Sequence, residues 1–406
     1  MDLSKHYKWL LVIFGIWPII DTLLNLQSIN LPIVRYVIYT VGTFYIVKLY
    51  FITSKNTKKV SFLLKTVLTF TFFWLLMRFV ISATEILNPA NNYIALKTIL
   101  SGEFALFFSF FLANIAMPLQ YFKSFLKTSY LLAILYVIIG IPLFGFFTAD
   151  IANQAELFVK YFYLGGVFLL LLFPYQKTKV NIILSVGLVL ALLMMLLVAR
   201  RNVVLYLVSA LFFLSLVIIF SKSDLIKKRK PILVAGSVVV SVCALLFVII
   251  MQFNFSLFLE RADTGLESRE MVFLEFNEDF NTTHNDWYTG RGPFGTFFSM
   301  LGDEMTNDRP LIENGYYQHI LKQGLFFLIP FIILSIAASF NGFFRSKNHL
   351  SKAAAILIIV NLIDMFGYGL PFLGLKYLNL LIAFGFCFSP TIRNMNDFEI
   401  RKIIRL

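Results

Sequence analysis

Residues 179–198 read KVNIILSVGLVLALLMMLLV, and the nineteen from Val180 to Val198 carry no charge. As a helix, nineteen residues span about 29 Å, close to the ~30 Å of a bilayer's hydrocarbon core. Lys177 and Lys179 stand at one end, Arg200 and Arg201 at the other. Runs of this kind recur along the chain. Of its 406 residues 59% are hydrophobic and only 14% charged, and Phe occurs 47 times. Mean hydropathy is +0.81. Soluble domains use about 25% charged residues, so this composition excludes a water-soluble globular protein, a disordered chain and a collagen-like fibre.

The apolar runs predict helical spans at 9–27, 31–53, 61–82, 96–116, 126–147, 157–174, 179–198, 202–220, 231–252, 318–340, 352–369 and 371–389. Alternating strand patterns are absent, which disfavours a β-barrel. The expected fold is an all-α polytopic membrane protein, a single transmembrane domain over 1–406 with about 12 transmembrane helices. The first run follows Lys5 and Lys8 but carries Asp21 and no small-residue cleavage site, so it reads as a retained span. Cys243 and Cys387 sit in apolar runs and read as small buried hydrophobes. No cysteine–histidine cluster exists, so no metal site is expected.

The net charge of +13 has a topological cause. With the N-terminus inside, the inner segments carry Lys5, Lys8, Lys55, Lys58, Lys59, Lys123, Lys127, Lys177 and Lys179. They continue with Lys222, Lys227, Lys228, Arg229, Lys230, Arg345, Lys347, Lys352, Arg393, Arg401, Lys402 and Arg405. These basic segments predict both termini in the cytoplasm and point to a membrane rather than nucleic acid. Arg200 and Arg201, in a short turn at the outer end of the seventh span, break the pattern. They read either as a snorkelling pair or as an anion contact on the outer face.

Charges within the spans are costly and usually face a cavity or a partner. Asp21, Arg35, Arg78, Lys97, Glu103, Lys160, Asp364 and Lys376 all fall toward the outer side, which suggests a net-positive polar cavity opening outward. The large outer loop, 253–317, lies between the ninth and tenth spans and holds twelve of the 22 acidic residues. Within it, Ser268 is placed to cap a short amphipathic helix with Val272, Phe273, Phe276 and Phe280 on one face. Such a helix suits the membrane surface over the cavity. Gly290-Arg291-Gly292-Pro293-Phe294-Gly295 then combines tight turns with an arginine fork and neighbouring amides suited to a phosphate. The segment Glu313-Asn314-Gly315-Tyr316-Tyr317-Gln318-His319 offers Glu313 and His319 for proton transfer, and Tyr316 and Tyr317 for sugar stacking or an aromatic belt.

These features resemble the O-antigen polymerase and O-antigen ligase superfamily. Ala199-Arg200-Arg201-Asn202 is similar to its arginine-bearing outer turn, and Ser268-Arg269 to its loop-helix start. Gly290–Gly295 is similar to its Gly-x-Gly segment, and Glu313–Leu325 to its His-Asn to Gly-Leu segment, with Glu313 where ligases have His. The resemblance implies a polysaccharide polymerase, a membrane glycosyltransferase of the bacterial cytoplasmic membrane. It would join undecaprenyl-pyrophosphate-linked repeat units in capsule, exopolysaccharide or O-antigen synthesis, with a chain-length regulator and a flippase as partners. Arg291, Glu313 and His319 would then be catalytic, and Arg78, Arg200, Arg201, Arg269, Tyr316 and Tyr317 would bind substrate. Without a D-x-D carboxylate motif or a nucleotide signature, no cofactor and no metal are expected. The alternatives are an O-antigen-ligase-like transferase and a flippase or transporter. The last usually shows two related halves around a midplane site, and no internal repeat is visible here.

Overall fold

The computed structural model describes residues 62–81, 119–143, 166–197, 270–300, 307–367 and 375–404, together with scattered helical positions between 9 and 48 and between 206 and 218. The fold is mostly helical. The first helices with both ends described are α1 (Phe62–Ile81), α2 (Leu119–Leu143) and α3 (Thr178–Leu197), with helical residues at 166–171 and a 3-10 turn at Phe173–Tyr175 before α3. Next along the chain come α4 (270–282), α5 (Asn285–Thr289), the two-residue strands β1 (Phe297–Phe298) and β2 (Asp308–Arg309), and α6 (Gly315–Gln323). The chain then runs through α7 (Leu325–Phe344), α8 (His349–Gly367), α9 (Leu375–Phe388), α10 (Pro390–Asn394) and α11 (Asp397–Ile404).

Among the described residues, three helical stretches are long and apolar enough to cross a membrane: Phe122–Pro142, Leu325–Phe344 and His349–Gly367. The predicted spans at 9–27, 31–53, 96–116, 157–174, 202–220 and 231–252 lie wholly or partly outside the described residues. The predicted span at 318–340 is corrected. It breaks at Gly324, whose φ of 72° ends α6, and the long apolar helix begins at Leu325. A residue with a Cβ is strained at such a φ, so glycine punctuates the run there.

α7, α8 and α9 form the best-packed part of the bundle, and small residues make their closeness possible. Ala353, Ala354 and Ala355 are fully buried. A Cβ on Gly342 of α7 would meet the Ser351 carbonyl oxygen at 2.7 Å and the Ala355 Cβ at 2.8 Å. Without a strong hydrophobic force between helices in lipid, this close approach is what favours their association. Hydroxyls inside the helices bond back to their own backbone, as Ser335 does to the Phe331 carbonyl and Thr71 to the Val67 carbonyl, each at 2.7 Å.

The helix ends sort into two groups. At one end, the Tyr175 hydroxyl donates to Asp397 Oδ1 at 2.5 Å, and the His349 amide donates to the same oxygen at 2.6 Å. The Asn348 side-chain amide reaches the Ile392 and Met395 carbonyls at 2.7 and 3.0 Å, while its Oδ1 accepts from the Ser351 amide. The 3-10 turn, the start of α8 and the C-terminal helices are thereby tied together. α11 also packs on α2. Arg345, Lys347, Arg393, Arg401 and Lys402 cluster in sequence around these ends. The opposite end carries Arg78, Asp364 and Lys376 and is capped by residues 270–300 and 307–323.

Candidate functional site

The cap is built on aromatic side chains. Val272, Phe276 and Phe280 recur at helical spacing on α4 and are buried. Phe276 stacks on Phe280 with ring centroids 4.1 Å apart, and meets Trp287, Phe297 and Tyr317 edge-on at 5.9, 5.3 and 5.2 Å. Phe273 stacks on Tyr317 at 5.1 Å. The apolar face of α4 thus serves the interior of the cap, which corrects the expectation that it lies on a membrane surface. Aromatic partners from α5, β1 and α6 cover Phe276 and Phe280 within the protein, and Phe273 is half-buried against Tyr317. Beside that face, Glu275 and Asp279 grip the strand segment. Glu275 accepts from the Ser299 hydroxyl at 2.6 Å and the Met300 amide at 3.2 Å, and Asp279, one turn on, accepts from the Phe298 amide at 3.0 Å.

Arg291 joins these layers. Its Nε donates to Asp286 at 2.7 Å, and its Nη1 donates to Asp279 at 2.5 Å and to the Thr296 carbonyl at 2.8 Å. The guanidinium lies over the Phe280 ring, 4.5 Å from its centroid. Burial works against the charge here, but the bonds to Asp279 and Asp286 outweigh it and leave the pKa above its ordinary value. The expectation of an open arginine fork is therefore corrected, because two carboxylates and a carbonyl already occupy it. Two neighbouring amides are occupied as well. Arg291 N–H donates to the Leu321 carbonyl at 2.7 Å and Gly292 N–H to the Lys322 carbonyl at 3.1 Å. These amides cap the C-terminal carbonyls of α6, groups that a helix cannot satisfy internally. Lys322, 1% exposed, turns back and donates to the Pro293 and Gly295 carbonyls at 3.1 and 2.9 Å. The glycine-rich loop and α6 are thus one interlocked unit. At its tightest point, Gly290 and Gly324 cross so closely that a Cβ on Gly290 would meet the Gly324 nitrogen at 2.6 Å.

That crossing is where the cap meets the bundle. Arg78, in the last turn of α1, donates from Nη2 to the Gly290 carbonyl at 2.5 Å. One turn earlier, Trp74 Nε1 donates to the Gln323 carbonyl at 2.9 Å, and its ring meets Phe326 edge-on at 4.9 Å. On the other side, Asn314 caps α6, its Oδ1 accepting from the Tyr316 and Tyr317 amides at 2.9 and 3.3 Å. Its Nδ2 reaches the Phe366 carbonyl at 3.2 Å, and the Tyr316 hydroxyl reaches the Leu362 carbonyl at 2.7 Å. Burial raises the Tyr316 pKa, keeping it a donor.

His319 is 2% exposed. Its Nδ1 lies 2.8 Å from the Gln323 amide oxygen, which makes Nδ1 the protonated nitrogen and Nε2 a bare acceptor without a hydrogen-bond partner. Phe327 and Phe331 flank the ring at 5.0 and 5.4 Å. Burial pushes its pKa down to about 4, with the Gln323 bond opposing, so the imidazole is neutral at pH 7. Glu313 is exposed, one residue before the cap of α6.

The predicted residues thus surround α6 without converging on one point. Arg291 and Tyr317 face α4, Tyr316 faces α8, His319 faces α7 and Arg78 comes from α1. Arg200, Arg201, Arg269 and Ser268 lie outside the described residues. Sequence reasoning left two groups out of the site. Lys322 is one, and nothing in its local sequence marks it. The other is the buried ion pair between Lys376 of α9 and Asp364 of α8, whose opposite charges in adjacent apolar helices were the available signal. No protein-family model matches the chain, and no curated protein matches it.

Proposed function

We propose that the protein is a membrane glycosyltransferase, a polysaccharide polymerase that joins polyprenyl-pyrophosphate-linked repeat units on the outer face of the bacterial cytoplasmic membrane. The observation that carries this reading is the rigid cap seated on the bundle end that also holds Arg78, Asp364 and Lys376. It gives a lipid-linked substrate a structured polar site beside an apolar helix surface. In the transfer, an acceptor hydroxyl forms a bond to the anomeric carbon of the donor sugar. The bond from that carbon to the phosphate oxygen breaks, and its electron pair leaves on the pyrophosphate. Arg200, Arg201 and Arg269 neutralise that leaving group together with Arg78. Glu313, the exposed carboxylate at the rim, accepts the proton of the acceptor hydroxyl. Arg291, Tyr316 and Tyr317 are positioning residues that hold the cap through the contacts described above. His319 lies behind the rim and acts through the packing of α6.

The test is chain length in cells. Arg200→Ala and Arg78→Ala should leave the protein in the membrane at its normal level and abolish long-chain polysaccharide. Normal chain lengths in both variants would sink the reading. A deletion strain whose repeat units never reach the outer leaflet would favour a flippase instead.

A further inference from the structure

Asp364 and Asn361 sit one helical turn apart on α8, 1% and 3% exposed. Residues three apart are neighbours on a helix surface. Lys376 of α9 pairs with Asp364 Oδ2, and its ammonium stands 5.8 Å from the centroid of the Tyr206 ring. Among the described residues, neither Asp364 Oδ1 nor Asn361 Oδ1 finds a hydrogen-bond donor. The Asn361 amide nitrogen reaches only the Met365 sulfur, at 3.9 Å. Leaving buried acceptors unmade costs stability, so two of them one helical turn apart are open to a donor that the described residues do not supply.

The chemistry narrows that donor. A metal cation is disfavoured, because Lys376 already balances Asp364 and a second positive charge would stand uncompensated among apolar helices. A neutral group with two hydroxyls matches the acceptors' chemistry, one donating to Asp364 Oδ1 and one to Asn361 Oδ1. The location fits a substrate as well. The cap grips the same end of α8, at the Leu362 and Phe366 carbonyls, which lie across the helix from the Asp364 side chain. We propose that Asp364, Asn361 and Lys376 form a carbohydrate-binding site beneath the cap, one that holds hydroxyls of the acceptor sugar. This assignment rests on the polymerase reading and deepens it, because it gives the acceptor its own place, apart from the arginines assigned to the pyrophosphate.

Asn361→Leu is the informative variant, since changing Asp364 or Lys376 alone would strand a buried charge. The probe is the repeat-unit oligosaccharide of the source strain, cleaved from its lipid carrier and added at millimolar concentration to the full-length protein in nanodiscs. The wild type should melt higher with it. Asn361→Leu should melt at least as high as the wild type without sugar, because an unpaired polar group has become apolar. Its sugar-induced shift should vanish, with affinity down at least about tenfold, the worth of one good hydrogen bond. A retained shift overturns the proposal. So does a variant that melts lower without sugar, which would make the amide a structural group satisfied by a buried water. With the lipid-linked unit as substrate, Asn361→Leu should still release polyprenyl pyrophosphate by slow hydrolysis to water while chain extension stops. A wild type that binds the oligosaccharide but never extends a chain refutes the polymerase reading and leaves the sugar site standing. Unchanged extension and acceptor KM in Asn361→Leu refutes the site and leaves the reading standing.

Discussion

Arg291→Ala separates a structural cross-link from a substrate contact. The substitution deletes the bonds to Asp286, Asp279 and the Thr296 carbonyl and uncovers the Phe280 ring. It also leaves two carboxylates close together without their cation. Removing one member of a buried pair costs about 3–5 kcal/mol. The Arg291, Asp279 and Asp286 side chains are each 21% exposed, so solvent screens part of that loss. A cost of about 2 kcal/mol to the cap is the reasonable figure. The cap opens locally rather than with the whole bundle, so native-state proteolysis within 283–310 is the suitable assay. In the regime where reclosing outruns cleavage, 2 kcal/mol makes cutting about thirtyfold faster. Asp279→Asn should act in the same direction but less, and the double variant should fall well short of additivity, with coupling of about 1 kcal/mol. If Arg291→Ala is as protected as the wild type yet loses polysaccharide synthesis, the guanidinium acts on substrate and the cross-link reasoning fails.

Three further outcomes follow from particular contacts. The His319 pKa falls on folding from 6.5 to about 4, so the unfolded cap binds more protons between those values. Cap stability should be full above pH 6.5 and decline by up to about 3 kcal/mol as pH falls to 4, a slope that hydrogen exchange should find flattened in His319→Gln. Gly324→Ala places a Cβ against the Tyr288 carbonyl at a backbone φ of 72°, and should raise cap proteolysis more than Arg291→Ala does. Tyr175→Phe removes the hydroxyl that Asp397 accepts from and that the Leu350 amide donates to. It should loosen α11 by about 1–3 kcal/mol, read as faster exchange at residues 397–404 with the cap unaffected.

How far the residues announced their own arrangement depends on the range of the interaction. The apolar length of α3 was legible because the nineteen residues from Val180 to Val198 carry no charge, and such a run has few other solutions. The break at Gly324 was not, because Ile320 and Leu321 carry the hydrophobic signal across it, and only the positive φ reveals that the helix stops. The α4 face was readable from its spacing, but what it packs against was not. Periodicity says that Phe276 needs a partner, without saying whether lipid, Trp287 or Tyr317 provides it. Arg291 shows the limit most clearly. An arginine between two glycines looks the same in sequence whether its fork meets a phosphate or two carboxylates upstream, and here Asp279 and Asp286 fold back to fill it. The Asp364–Lys376 pair was readable in a way the arginine was not. Asp364 lies three residues before the end of α8 and Lys376 one residue into α9, and the two helices pack on each other. In antiparallel neighbours packed so closely, opposite charges near the facing ends stand at nearly the same depth. Pairing is then the cheapest way to keep both inside an apolar bundle. The oxygen that pairing leaves over is the feature sequence alone does not show, because it depends on which carboxylate oxygen the lysine takes.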